Sequence, residues 1–343
     1  MSFPEFPQPA PGEVLFVCTC YEDGRALWGG LLDEIAARRE DDGLVLEGSG
    51  VRLRMVEDSA WDHLHGGNIP ALVPGSSPVP PVAVMADIPV VYGGDGPLLV
   101  DLAAIPGRGV RIPSTRLGEI LADLLGGALA FDDLVRDMDR YGMYQGDGGR
   151  PAFPTPASAP PRRSFPPLPS TGAALLVRTC FDDEAGWQAL LGELGGTDPD
   201  GWVGADLDLD EIDVEHFPLT ALVVDNSAFE GLQPGQVPVL VPPDEHTTLV
   251  ALADARTFTE PELPLTVVDL YDSPGRQAVL PCREVGSMAC NLEIANMDFY
   301  EFVAEDQRSC QHSAVHYGDE GWQALQPHPR PPRAYGPADP PRR

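Results

Sequence analysis

Leu15-Phe16-Val17-Cys18-Thr19-Cys20-Tyr21 returns as Leu175-Leu176-Val177-Arg178-Thr179-Cys180-Phe181, an apolar run ending both times in a Thr-Cys-aromatic step. Downstream, Val56-Glu57-Asp58-Ser59-Ala60-Trp61 matches Val224-Asp225-Asn226-Ser227-Ala228-Phe229. Ala86-Asp87 matches Ala253-Asp254, Val100-Asp101-Leu102 matches Val268-Asp269-Leu270, and residues 108–113 match 276–281. Agreement over separated blocks means duplication, and the period is far longer than the roughly 20–50 residues of solenoid repeats. A chain of 343 residues thus holds two globular units, each long enough to bury its own core.

The repeat predicts the organisation: a disordered N-terminus over 1–11, a first unit over 12–148, a Pro-rich linker over 149–171, a second unit over 172–310, and a disordered Pro-rich tail over 311–343. In each unit an apolar strand (14–20; 174–180) leads into a helix with Asp23 or Asp183 as the expected N-cap. Leu27, Trp28, Leu31, Leu32 and Ile35 share one face of the first helix; Trp187, Leu190, Leu191 and Leu194 repeat that period. Further strands are expected at 53–57, 82–86, 98–102 and 109–112, and at 221–225, 249–253, 265–270 and 277–280. Closing helices follow at 114–140 and 287–304. Continuous apolar strands alternating with helices predict an α/β class: two tandem α/β sandwich domains with mainly parallel sheets.

Charge narrows the partners. The chain carries 22 basic and 53 acidic residues, net −31. Residues 1–150 hold 11 Arg against 23 acids, and residues 172–326 hold 5 Arg against 29, so the second unit carries about twice the negative charge. Such a field repels phosphate backbones and attracts a basic protein partner. All the basic residues are Arg, and the absence of Lys excludes a phosphate-loop lysine, a Schiff base and a PLP anchor. No window is apolar for the length of a membrane span, and no signal peptide is visible, so a cytoplasmic protein without a membrane partner is expected.

Motifs for metal or nucleophilic chemistry are sparse. Cys18, Cys20, Cys180, Cys282, Cys290 and Cys310 form no C-x-x-C pair, and Cys20/Cys180 read as core thiols at a strand end. His63, His65, His216, His246, His312, His316 and His328 show no helical ligand spacing. Asp206, Asp208 and Asp210 begin like a calcium loop, but Glu211 stands where glycine is needed. In the linker, Arg163, Pro166 and Pro169 match an SH3-ligand pattern, although a simple semi-rigid spacer is the plainer reading. Polar residues repeated at the expected carboxyl ends of strands are Cys20/Cys180, Asp58/Asn226, Ser59/Ser227, Asp87/Asp254 and Asp101/Asp269. Either they cap the elements that follow, or Asp225, Asp254 and Asp269 converge on a metal ion.

The run Asn291-Leu292-Glu293-Ile294-Ala295-Asn296-Met297-Asp298-Phe299-Tyr300-Glu301-Phe302 carries an Asn-Leu-x-Ile-Ala-Asn-Met-Asp-Phe-x-x-Phe pattern. With Val177-Arg178-Thr179-x-Phe181 and Val250-Ala251-x-Ala253-Asp254, it resembles an uncharacterised domain family of high-GC (actinobacterial) bacteria, a domain of unknown function. The first copy is the degenerate one, with Asp123, Ala128 and Ala130 in place of Asn291, Asn296 and Asp298. The resemblance implies no activity and no catalytic residue. Short polar residues at those positions imply a helix break capped by Asp298, or a binding surface made of Asn291, Asn296 and Asp298. The expected function is a non-enzymatic, macromolecule-binding module with no cofactor. The alternative is a metal-assisted hydrolase or transferase using the second-copy carboxylates.

Overall fold

The structure, a computed structural model, describes residues 3–40, 43–74, 80–93, 96–139, 141–146, 165–204, 217–243, 247–294 and 296–302. The calcium-like loop, Arg163, Cys310, His216, His246, His312, His316, His328 and the C-terminal tail lie outside the described residues.

The first half runs β1 (Glu13–Cys18), α1 (Tyr21–Glu34), β2 (Ala37–Glu40), β3 (Gly43–Leu46), β4 (Arg52–Val56), α2 (Ile69–Leu72), β5 (Val82–Ala86), α3 (Ile88–Gly93), β6 (Leu98–Asp101), β7 (Gly109–Arg111), α4 (Leu117–Gly126) and α5 (Phe131–Arg136). The second runs β8 (Ala174–Arg178), α6 (Glu184–Glu193), β9 (Trp202–Val203), β10 (Ala221–Val224), β11 (Val250–Ala253), α7 (Ala255–Thr259), β12 (Leu265–Val268), β13 (Gln277–Leu280) and α8 (Cys282–Glu293). The sheets read β2-β3-β4-β1-β5-β6-β7 and β13-β12-β11-β8-β10-β9. Five strands therefore occur in the same order in both halves, β4-β1-β5-β6-β7 against β10-β8-β11-β12-β13. The class is mixed α/β with two sheets, as the repeat predicts.

The expectation of mainly parallel sheets is corrected. Only β1 pairs in parallel with β4 and β5, and only β8 with β10 and β11; the remaining ladders are antiparallel. The connections explain it. Leu102 to Arg108 is all that joins β6 to β7, less than the dozen or more residues a parallel crossover needs. β6 and β12 read as parallel strands because every residue in them is buried. Burial on both faces produces that pattern whatever the strand direction.

Each sheet has a helical face and a face of turns. Trp28, Leu31, Val90, Leu117, Ile120 and Leu121 cover one face of the first sheet. Their equivalents Trp187, Leu190, Val285 and Met288 cover the second, and the helix-side residues of both halves form one contiguous cluster. Opposite, Ile69 and Leu72 cover Leu15, Val17 and Val100, while Val237 and Val241 cover Leu175, Val177 and Val268.

The stretch before β1, expected as a disordered leader, packs on this second face. Phe6 is buried against Trp61 with ring centroids 5.5 Å apart, and its amide donates to the Leu72 carbonyl at 2.9 Å. Leu168, in the expected linker, is buried too and donates to the equivalent Leu240 carbonyl at 2.8 Å. Phe3-Pro4-Glu5-Phe6-Pro7 and Phe165-Pro166-Pro167-Leu168-Pro169 are thus one more repeated block, an arm belonging to each unit.

Candidate functional site

The parallel strands β4-β1-β5 and β10-β8-β11 end on the polar residues that repeat, which is where open α/β sheets place their sites. In the first half, Asp62 reaches the start of α1 from the loop after β4 and accepts the Tyr21 and Glu22 amides at 2.6 and 3.0 Å. The helix begins at Tyr21, so Asp23 lies inside it and the cap comes from a distant residue. In the second half Asp183 caps α6 as expected, accepting from the Gly186 amide at 2.8 Å. Cys18 and Cys20 are buried with their thiols hydrogen-bonded to each other, which lowers the Cys18 thiol and raises Cys20.

Every repeated carboxylate has work inside its own unit. Asp58 and Asn226 cap equivalent 3-10 turns, each accepting at 2.9 Å from the amide two residues on. Asp87 accepts both terminal nitrogens of Arg111, at 2.6 and 3.2 Å, and Arg111 is almost wholly buried. Asp254 instead caps α7 through the Arg256 amide (2.8 Å) and accepts the Thr266 hydroxyl at 2.8 Å. Asp101 binds the amides of Ala103, Ala104 and Ile105 and the Arg108 Nε, each at 2.9 Å. Asp269 holds its own loop the same way, through the amides of Tyr271, Asp272 and Ser273 at 2.8, 3.0 and 2.9 Å. Burial, with the nearby Asp272 charge, pushes the Asp269 carboxyl up to about 6.

Asp225 is different. It accepts the Trp187 indole N–H at 3.0 Å and lies 3.4 Å from Arg178, whose buried guanidinium also meets Glu184 at 2.8 Å. Phe181 and Trp187 sit over that guanidinium, 4.6 and 5.3 Å from ring centroid to carbon. In the first half, Trp28 donates to Glu57 in the same manner, with Cys18 at the Arg178 position. Asp225, Asp254 and Asp269 are thus tied to three separate partner sets. Among the described residues no group of three or more His, Cys, Asp or Glu is placed to hold a metal ion.

The signature residues form one local turn. α8 ends at Glu293, and the Asn296 amide returns to the Asn291 carbonyl at 2.9 Å. Asn296 Nδ2 donates to Asn291 Oδ1 at 2.7 Å, and Asn291 Nδ2 donates to the Ser287 carbonyl at 2.8 Å. The Asp298 amide donates to Glu301 Oε1 at 3.0 Å, starting a new helical turn at Phe299. The first half makes the same reversal with other side chains: Ala128 returns to the Asp123 carbonyl at 2.8 Å, and the Ala130 amide donates to Asp133 at 2.9 Å.

Two copies of one unit, with one set of caps and one helix reversal, are what a family model covers here: residues 13–147 and 173–312 match the family described as Domain of unknown function (DUF6924). The chain belongs to that family. No curated protein matches the chain, and no solved structure does. In the DUF6924 unit the residues missed in the sequence are the indole donors Trp28 and Trp187, the long-range cap Asp62, and the Asp-to-Arg loop ending in Pro-Gly-Arg. The repeat signalled the last of these, since residues 106–108 and 274–276 both read Pro-Gly-Arg. Arg108 and Arg276 lie over Phe131 and Phe299, 5.1 and 5.3 Å from the ring centroids, so loop and closing helix are locked in both DUF6924 units.

Proposed function

We propose that the protein is a non-catalytic, acidic interaction module that engages a basic macromolecular partner. The observation that carries this reading is the use made of the repeated carboxylates: Asp87, Asp101, Asp254 and Asp269 each accept hydrogen bonds from their own unit. A carboxylate held by two or three amides serves the fold, and what the duplication preserves at the strand ends is structure. The chain carries a net charge of −31, which favours a basic protein and opposes nucleic acid. No helix among the described residues is long and apolar enough to cross a membrane; the site of action we propose is the cytoplasm. Asn291, Asn296 and Asp298 are the candidate contact surface for that partner: the bond from Asn296 Nδ2 to Asn291 Oδ1 orders the turn, and Asn296 itself is exposed.

The alternative, a metal-assisted hydrolase, requires Asp225, Asp254 and Asp269 to leave these partners for a common ion. Calorimetric titration of the full chain with Mg²⁺, Mn²⁺ and Ca²⁺, beside titration with an arginine-rich peptide, separates the readings. Salt-sensitive peptide binding is expected. Metal binding that Asp254→Asn abolishes would instead favour the enzyme.

A further inference from the structure

We infer that the surface built from the turn at 66–70 and the Pro-Gly-Arg loop at 105–109 is a self-recognition surface. The unit pairs with a second copy of itself, supplied here by the same chain, and the halves stay joined without the linker.

Four sets of contacts support this. Turn meets turn: a methyl placed on Gly67 would fall 2.5 Å from Pro238 Cβ, and Pro238 occupies the position of Pro70 in the other copy. Loop meets loop: a methyl on Gly275 would lie 3.1 Å from Arg108 Cβ. The first turn meets the second loop, since a methyl on Gly66 would lie 3.5 Å from Pro274 Cγ. The second turn meets the first loop, since one on Gly235 would lie 3.6 Å from Ile105 Cγ2.

That reciprocity is the property of an isologous two-fold interface, in which one patch contacts its own equivalent. Two hydrogen bonds fix the register, Asn68 Nδ2 to the Val241 carbonyl at 2.6 Å and the Gly109 amide to the Pro274 carbonyl at 2.8 Å. At the edges, His65 meets Tyr271 edge-on at 4.4 Å and Tyr141 meets Tyr300 at 4.8 Å. The contact is close-packed, with glycines set against Pro238, Pro274 and Ile105 of the opposite unit. Obligate interfaces are built this way, and transient ones are more polar.

The test keeps the full chain. A specific protease site is placed within residues 151–160, the purified protein is cut, and the products are followed by size-exclusion chromatography with light scattering over a dilution series. The fragments should co-migrate near the intact 36.8 kDa down to sub-micromolar concentration. Gly67→Leu, checked for folding by circular dichroism before cutting, should weaken the association at least about tenfold, since the side chain has no room against Pro238. Asn68→Ala should weaken it several-fold without adding bulk. Fragments that separate at micromolar concentration would overturn the inference, as would association indifferent to both substitutions.

Discussion

Asn68 Nδ2 donates across the two units to the Val241 carbonyl at 2.6 Å, whereas its counterpart Gln236 turns its Oε1 back to the Gln233 amide at 3.0 Å. The same sequence position thus holds the halves together in one copy and closes its own turn in the other.

Asn68→Ala should therefore destabilise the chain more than Gln236→Ala. Asn68 is 3% exposed, and losing it leaves a buried carbonyl without its donor, a loss of about 1–3 kcal/mol. Gln236 closes an exposed 3-10 turn, so its removal should cost about 0.5–1 kcal/mol. Urea denaturation of both variants measures the difference. Equal losses would mean that the Asn68 bond adds nothing beyond a local cap.

His63 and Gly231 occupy equivalent positions, and their amides donate to the Thr19 and Thr179 carbonyls at the same 2.8 Å. Both are left-handed, with φ of 66° and 75°. Histidine is strained there by about 1–2 kcal/mol, while glycine accepts the conformation and loses about 0.5–1 kcal/mol of unfolded-chain entropy. His63→Gly should raise stability by up to about 1 kcal/mol, and Gly231→His should lower it. A fall in melting temperature for His63→Gly would show that the exposed imidazole makes a compensating contact.

The Asp87–Arg111 pair has no charged equivalent in the second unit, where Val279 replaces Arg111 and Thr266 serves Asp254. Arg111→Met leaves the Asp87 carboxylate without its bidentate partner and should cost about 3–5 kcal/mol. Adding Asp87→Asn should recover part of that loss, because the uncompensated charge goes with it. If the double variant is no more stable than Arg111→Met, packing of the guanidinium stem, not its charge, is what the core requires.

Asp269 makes stability depend on pH. Its folded value of about 6 exceeds the ordinary 3.8 because burial and the Asp272 charge oppose ionisation. The folded state therefore holds a proton that the unfolded chain has already released. Stabilisation from this group is complete below about pH 4 and is lost as pH rises through 6. Asp269→Asn keeps a carbonyl acceptor for the loop amides and should flatten the stability profile between those values. An unchanged slope would assign the dependence to other carboxylates.

Much of the fold was legible because apolar runs with turn residues between them are local signals. The segment 82–86 coincides with β5, and both copies gave the order of elements. Strand direction was not legible, since Leu98–Asp101 is buried throughout whichever way it runs. The β2–β3 hairpin escaped because Ala37–Glu40 is charged and largely exposed, without apolar alternation. The arms escaped because a proline-rich composition hides the single buried Phe6 or Leu168 within it. Among the candidate site residues, caps at Asp183, Asn226 and Asp254 follow from one residue and its next few amides. Asp62 at the start of α1 and Trp187 on Asp225 depend on the tertiary fold, which no local spacing encodes.

Association with a basic partner should depend strongly on salt. The segment 172–326 carries 29 acids against 5 Arg, and exposed charges are screened beyond roughly 8 Å at physiological ionic strength. A field of this kind acts mainly on diffusional encounter, so raising salt should slow association while dissociation changes little. Neutral surface packing predicts the reverse, a salt-insensitive association rate with affinity set by dissociation. Surface plasmon resonance with an arginine-rich peptide, from low salt to about 0.5 M, measures both rates on the intact chain. The first unit, with 23 acids against 11 Arg over residues 1–150, provides the internal comparison. Replacing exposed acids of the second unit, such as Asp200, Glu230 and Glu293, with their amides should reduce the salt slope more than the same number of changes at Glu22, Glu34 and Glu47. Equal effects from the two sets would mean that net charge alone governs the encounter and that neither unit is the preferred face.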